Sequence, residues 1–112
     1  MAETKSSCLF CDISAKRIPS ETLYEDDDLI VFKDIKPIAD THLLLVPRKH
    51  YKDLNGLTQS DEPLYGKIVR VAADMAKKED IQGGWQLFVR VGKGGGQEVP
   101  HVHFHLISGS RC

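Results

Sequence analysis

The amino-acid sequence predicts an α+β domain: a mainly antiparallel sheet of about five strands, one principal helix and a short helix near the N-terminus. Three stretches carry that reading. His101-Val102-His103-Phe104-His105-Leu106-Ile107 alternates polar and apolar residues, the signature of a strand with one face in a core. His42-Leu43-Leu44-Leu45-Val46-Pro47 is a near-continuous apolar run, which suits a central strand buried on both faces. Leu64, Ile68, Ala72, Met75 and Ala76 recur at three- to four-residue spacing, the stripe of an amphipathic helix whose role is core packing.

Taken in order, residues 1–7 are polar and read as a disordered tail, leaving 8–112 as a single domain. Cys8-Leu9-Phe10-Cys11 opens a short amphipathic turn or helix that ends near Ile18-Pro19. Leu23 to Glu25 and Leu29 to Lys33 read as strands joined by a solvated acidic turn, Asp26-Asp27-Asp28. Pro47 ends the central strand and releases the chain into Arg48-Lys49-His50. The principal helix should start near Ser60 as N-cap, with Asp61, Glu62 and Pro63 in its first turn. It should finish at Lys77-Lys78, where the helix dipole favours cations. Gly83-Gly84 closes the helical region, and Trp85 to Val91 forms the next strand.

At 112 residues the chain suits one compact domain that buries roughly 60–70% of its unfolded surface. Hydrophobic content of 41% with 28% charged residues is ordinary for a soluble globular protein. A net charge of −1 gives no general attraction to nucleic acid. No apolar run approaches the roughly 20 residues that span a bilayer, and no signal peptide is visible. The expected compartment is the cytoplasm, with the nucleus also open, and neither nucleic acid nor membrane is an expected partner. An odd count of cysteines (Cys8, Cys11 and Cys112) in a chain without an export signal argues against a disulfide framework.

The chemistry concentrates near residue 100. Alternation puts His101, His103 and His105 on one strand face, about 6–7 Å apart. That spacing suits three separate tasks in one site better than three ligands on one ion. A neutral imidazole offers its lone pair to phosphorus without a strong base to expose it. Just upstream, Gly92-Lys93-Gly94-Gly95-Gly96-Gln97-Glu98 forms a glycine-rich turn, and glycines let backbone N–H groups face an anion without steric cost. A histidine strand after such a turn suggests a phosphate site.

The stretch Gly96-Gln97-Glu98-Val99-Pro100-His101-Val102-His103-Phe104-His105-Leu106-Ile107 resembles the histidine-triad (HIT) motif, and the resemblance extends from Cys8 to Ile107. It implies the HIT-like fold, a two-fold homodimer with the sheet continued across both subunits, and cleavage at the α-phosphate of a bound nucleotide. His103 matches the nucleophile that forms a phosphohistidine, and His105 and His42 match positions that surround the phosphate. Gln97 matches a glutamine that contacts the phosphate or ester oxygen, with Gly96, Glu98 and Val99 beside it. Asp34 matches an aspartate that accepts hydrogen bonds from ribose hydroxyls, a sensible grip for a diol. Phe10, Ile13, Phe32 and Ile35 match the apolar walls around the base. The Hint branch implies hydrolysis of nucleoside 5′-phosphoramidates to a purine mononucleotide such as AMP plus an amine.

Two positions beside the phosphate depart from the pattern. Arg90 stands where many phosphoramidases carry asparagine, and Glu98 where many carry serine. The chain also stops seven residues after His105, without the tryptophan-bearing tail of some members. Cys8-x-x-Cys11 is half of a common zinc layout. In some triad relatives, and in the related galactose-phosphate uridylyltransferases, two histidines complete it, and the matching positions are His50 and His101. The resemblance thus implies a structural zinc held by Cys8, Cys11, His50 and His101. Three other functions stay open from sequence: an AMP-binding sensor or scaffold, a dinucleoside polyphosphate hydrolase, and a hydrolase with its metal directly on the triad.

Overall fold

A computed structural model describes residues 8–111; the expected disordered tail and Cys112 lie outside the described residues. The chain forms α1 (Leu9–Ser14), β1 (Thr22–Glu25), β2 (Leu29–Lys33), β3 (Ala39–Pro47), α2 (Glu62–Lys78), β4 (Gln86–Val89) and β5 (Phe104–Arg111). The five strands make one sheet in the order β1-β2-β3-β5-β4, antiparallel throughout. Among the described residues no helix is long and apolar enough to cross a membrane.

β2 and β3 are apolar at nearly every position because both sheet faces are covered. On one face Leu29, Val31, Leu43, Leu45 and Leu106 pack against Ile68, Val71, Ala72 and Met75 of α2. On the other, Ile30, Phe32, Leu44 and Val46 pack against Cys8, Phe10 and Ile13 at the N-terminal end. The histidines belong to this second face. Alternation in the triad segment therefore separates two buried faces, and His101, His103 and His105 are all buried. The strand itself begins only at Phe104, so His101 and His103 precede β5 and are held by irregular backbone.

Several boundaries differ from the sequence reading. α1 stops at Ser14, because Lys16 turns left-handed (φ 65°) and ends the helical path. β3 starts three residues earlier than its apolar run, at Ala39, because Ala39 to Thr41 still find partners on β5. The entry to α2 is organised not by Ser60 but by Thr58 and Asp61. The Thr58 N–H and hydroxyl both donate to the Asp61 carboxylate, at 2.9 and 3.2 Å, over a single 3₁₀ turn (Gln59–Asp61). α2 ends at Lys78, and Asp80 in the left-handed region (φ 59°) ends it ahead of Gly83-Gly84. β4 spans only Gln86–Val89 of the longer stretch expected.

The acidic turn is not simply solvated. Asp26 accepts from the Tyr24 hydroxyl (2.6 Å) and from the N–H groups of Asp28 and Leu29 (2.8 and 3.0 Å), and pairs with Lys67 of α2 at 2.7 Å. Burial pushes its carboxyl pKa up, but the hydrogen bonds from Lys67, Tyr24 and the two amides outweigh burial and hold it far below the usual range. Arg48, at the exit of β3, joins this turn to the end of α1 through Asp26 O, Glu25 and Ser14. That clamp fixes α1 over the histidine face.

Candidate active site

A cavity of about 510 Å³ opens between α1, the loop after β2 and the segment before β5. Phe10, Ile13 and Phe32 are buried in its wall, whereas Ile35 is 89% exposed at its rim. Asp34, His42, His103 and His105 line it, as do Arg90, Gly96, Glu98 and Val99. Strand register explains the convergence: His42 and Leu44 share a face of β3, and Leu44 lies opposite His105 of β5. Phe88 of β4 lies opposite His105 from the other side, and the two rings stack with centroids 4.7 Å apart.

The hydrogen bonds assign a proton to each ring in its neutral form. His103 Nδ1 lies 2.8 Å from the His101 carbonyl oxygen, which can only accept, so Nδ1 carries the proton and Nε2 the lone pair. His42 Nδ1 accepts from the Ile38 N–H at 3.1 Å, so its proton is on Nε2. That Nε2 sits 2.9 Å from His105 Nδ1 and 3.4 Å from an Asp34 oxygen. His105 Nδ1 then accepts, and its own proton is on Nε2, a buried atom with no protein partner. The result is one lone pair (His103) and one uncommitted donor (His105) on a single cavity wall.

Burial holds these rings neutral. It lowers the pKa of His103 and of His42, the latter against an opposing pull from Asp34. His105 falls to about 3, through burial and then the charges of His103, His42 and Arg90.

A second cluster lies beside the cavity. Cys8, Cys11, His50 and His101 bring one ligand atom each to within 4.8 Å of one another. His101 Nδ1 is 3.3 Å from Cys8 Sγ, 3.6 Å from Cys11 Sγ and 3.1 Å from His50 Nδ1; Cys11 Sγ is 3.3 Å from His50 Nδ1. A tetrahedral ion with bonds of about 2.0–2.3 Å needs ligand atoms roughly 3.3–3.7 Å apart, and these four separations lie within or just below that range. The far nitrogen of His101 agrees, because Nε2 donates to the Pro47 carbonyl at 2.8 Å and leaves the lone pair on Nδ1. Burial drops His101 to about 4, and burial followed by the neighbouring Cys8 pushes the Cys11 thiol up to about 11. The cluster can therefore hold a metal.

The glycine turn works differently from the simple anion cradle read from sequence. The N–H groups of Gly95, Gly96 and Gln97 donate to carbonyls inside the turn, and Gly92 N–H donates to the Gln97 side chain. Positive φ at Gly92 and Gly96 (68° and 83°) makes this compact turn possible. The Gln97 amide is committed to backbone as well, donating to the carbonyls of Lys52 and Val99 at 2.7 and 2.9 Å. It braces the loop and stands outside the cavity lining. The N–H groups of Glu98 and Val99, on the lining, have no backbone acceptor among the described residues.

Ile38 is the functional residue that sequence reasoning missed. Its contribution is a backbone N–H, which no residue type announces. Leu9 and Ile18 also line the cavity, and Ile18 was visible only as an apolar residue before Pro19.

An α+β sheet that places a ring lone pair, an uncommitted N–H and a carboxylate on the wall of one cavity points to a class, the histidine-triad hydrolases. Comparison with known proteins agrees. The family model described as scavenger mRNA decapping enzyme C-term binding matches residues 7–111. Protein HitA of Neisseria gonorrhoeae is 43% identical over 101 residues, 90% of this chain and 94% of that protein. A protein of Escherichia coli K12 named purine nucleoside phosphoramidase is 37% identical over 102 residues, 90% of this chain and 86% of that protein. The crystal structure of a HIT family hydrolase from Legionella pneumophila superposes with a TM-score of 0.90 at 40% identity, covering 93% of this chain and 94% of that one. The chain belongs to the histidine-triad family of hydrolases and is an enzyme.

Proposed function

We propose that the protein hydrolyses purine nucleoside 5′-phosphoramidates to the nucleoside monophosphate and an amine, through a covalent intermediate on His103. One observation carries this reading: the His101 carbonyl accepts a hydrogen bond from the His103 Nδ1–H, which leaves the Nε2 lone pair for the cavity. The similarity to a protein named purine nucleoside phosphoramidase supports the substrate class.

His103 Nε2 attacks the α-phosphorus, the P–N bond breaks, and the amine leaves with its electron pair and takes a proton from solvent at the cavity mouth. The His105 Nε2–H, aimed by His42 and ultimately by the Ile38 amide, donates to a phosphoryl oxygen as charge develops there. The free N–H groups of Glu98 and Val99 supply further donors. Asp34 holds the ribose hydroxyls, and Phe10, Ile13, Phe32 and Ile35 flank the base. Water then displaces His103 Nε2 from phosphorus and releases the monophosphate.

Cys8, Cys11, His50 and His101 hold a structural zinc in this reading. With four protein ligands and no open position, the ion supplies rigidity and no step of the reaction. A two-fold homodimer joined along the free edge of β4 completes the assembly, in line with the family resemblance.

The decisive experiment is rapid quenching of the wild-type reaction followed by mass spectrometry. A nucleotidyl adduct on His103 is the expected result, and His103→Ala should lower turnover by at least about 10³-fold while AMP still binds. Near wild-type turnover in that variant would remove His103 from the mechanism.

A further inference from the structure

Arg90 lies two residues beyond Phe88, just past the last β4–β5 pair of Val89 with Phe104, and lines the same cavity as His103 and His105. Its guanidinium rests over the Phe88 ring, 5.1 Å from the centroid. Among the described residues it forms no hydrogen bond and no ion pair. Five N–H donors in a fixed planar fork are thus uncommitted on the wall of the active-site cavity. Glu98 lies on the same wall without pairing to it. The charge of Arg90 is felt at His42, His103 and His105, whereas that of Glu98 is felt at His103 alone. Asp34 opposes it at His42 and His103, and at His105 the charge of Arg90 meets no opposing anion.

In-line displacement fixes where that guanidinium can act. His103 and His105 are buried at 7% and 6%, so the attacking nitrogen lies on the inner side of the phosphorus. The leaving group must depart on the opposite side, toward the mouth, where Arg90 is exposed. We propose that Arg90 is a specificity-determining residue that selects substrates whose leaving amine carries an anionic group, with an amino acid joined to the α-phosphorus through its amine as the fitting class. The planar fork matches a carboxylate in bidentate fashion, while a plain alkylamine offers it no acceptor. This rests on the phosphoramidase reading and narrows its substrate.

The test uses two adenosine 5′-phosphoramidates that share the P–N bond and differ only in charge: the glycine adduct with a free carboxylate, and its methyl ester. Wild-type kcat/KM should favour the carboxylate by about tenfold, and 0.5 M salt should reduce that preference. Arg90→Ala should collapse the preference for the carboxylate over the ester from about tenfold to less than about twofold, with Arg90→Lys in between. Equal rates for both compounds in wild type, unaffected by salt, overturn the role of Arg90 and leave the phosphoramidase reading standing. Cleavage of neither compound overturns both.

Discussion

Two clusters of histidines and acidic or thiol groups lie side by side on one face of the sheet, and by proximity alone they look alike. Cys8, Cys11, His50 and His101 form one; Asp34, His42 and His105 form the other, and each gathers its ligand atoms within 4.8 Å. What separates them is the far nitrogen of a single ring. His101 Nε2 faces the Pro47 carbonyl, so its lone pair turns toward the thiols and can bind a metal. His42 Nδ1 faces the Ile38 amide, so the nitrogen that meets Asp34 and His105 carries a proton. A neutral imidazole has one lone pair, and in His42 it is already used. The first cluster can take an ion; the second passes a hydrogen bond toward the cavity. The same logic disfavours an ion seated directly on the triad, since His103 and His105 present one lone pair and one N–H.

His42→Asn should break the second cluster only. It should lower kcat/KM for a phosphoramidate by about a hundredfold, with metal content unchanged. An unaltered rate, or loss of metal, would erase the distinction drawn between the clusters. Cys11→Ser should do the reverse. Metal analysis of wild type should give one zinc per chain, and the variant should lose it together with about 2–4 kcal/mol of stability. Its kcat should fall by less than about tenfold, and two ions per wild-type chain would mean that Asp34, His42 and His105 also bind metal.

The smallest effect is on acid stability. Burial lowers the folded pKa values of His42 and His105, the latter to about 3. Below the ordinary histidine value near 6.5 the unfolded chain therefore binds more protons than the native one. Stability should fall as pH drops from about 6.5 toward 4, and thermal melts across that range check it. His105→Gln should flatten part of this slope, because glutamine does not titrate. A variant slope equal to that of wild type would show that His105 is not held neutral.

Much of the architecture was legible because periodicity reports burial. Continuous apolar residues from Leu43 to Val46 meant two covered faces, and the stripe from Leu64 to Ala76 meant a helix against a core. The helix entry was misplaced because Ser60 is a capping residue type, yet the Thr58–Asp61 pair forms the bonds. Gln97 carried a resemblance to a phosphate contact, but its amide is spent on loop carbonyls that include Lys52, 45 positions away in sequence.

The sequence by itself determined the α+β class, the strands and principal helix, and the gathering of reactive side chains around residues 96–107. Hydrophobic spacing and residue chemistry are local properties of a chain, so they can be read along it. Only the tertiary structure decided which nitrogen of each histidine holds a proton, which cluster can accept a metal, and that Arg90 stands unpaired at the cavity. Those outcomes depend on backbone carbonyls and amides such as Pro47 O and Ile38 N–H. Every residue carries a backbone carbonyl and all but proline an N–H, so only folding says which of them will meet a ring.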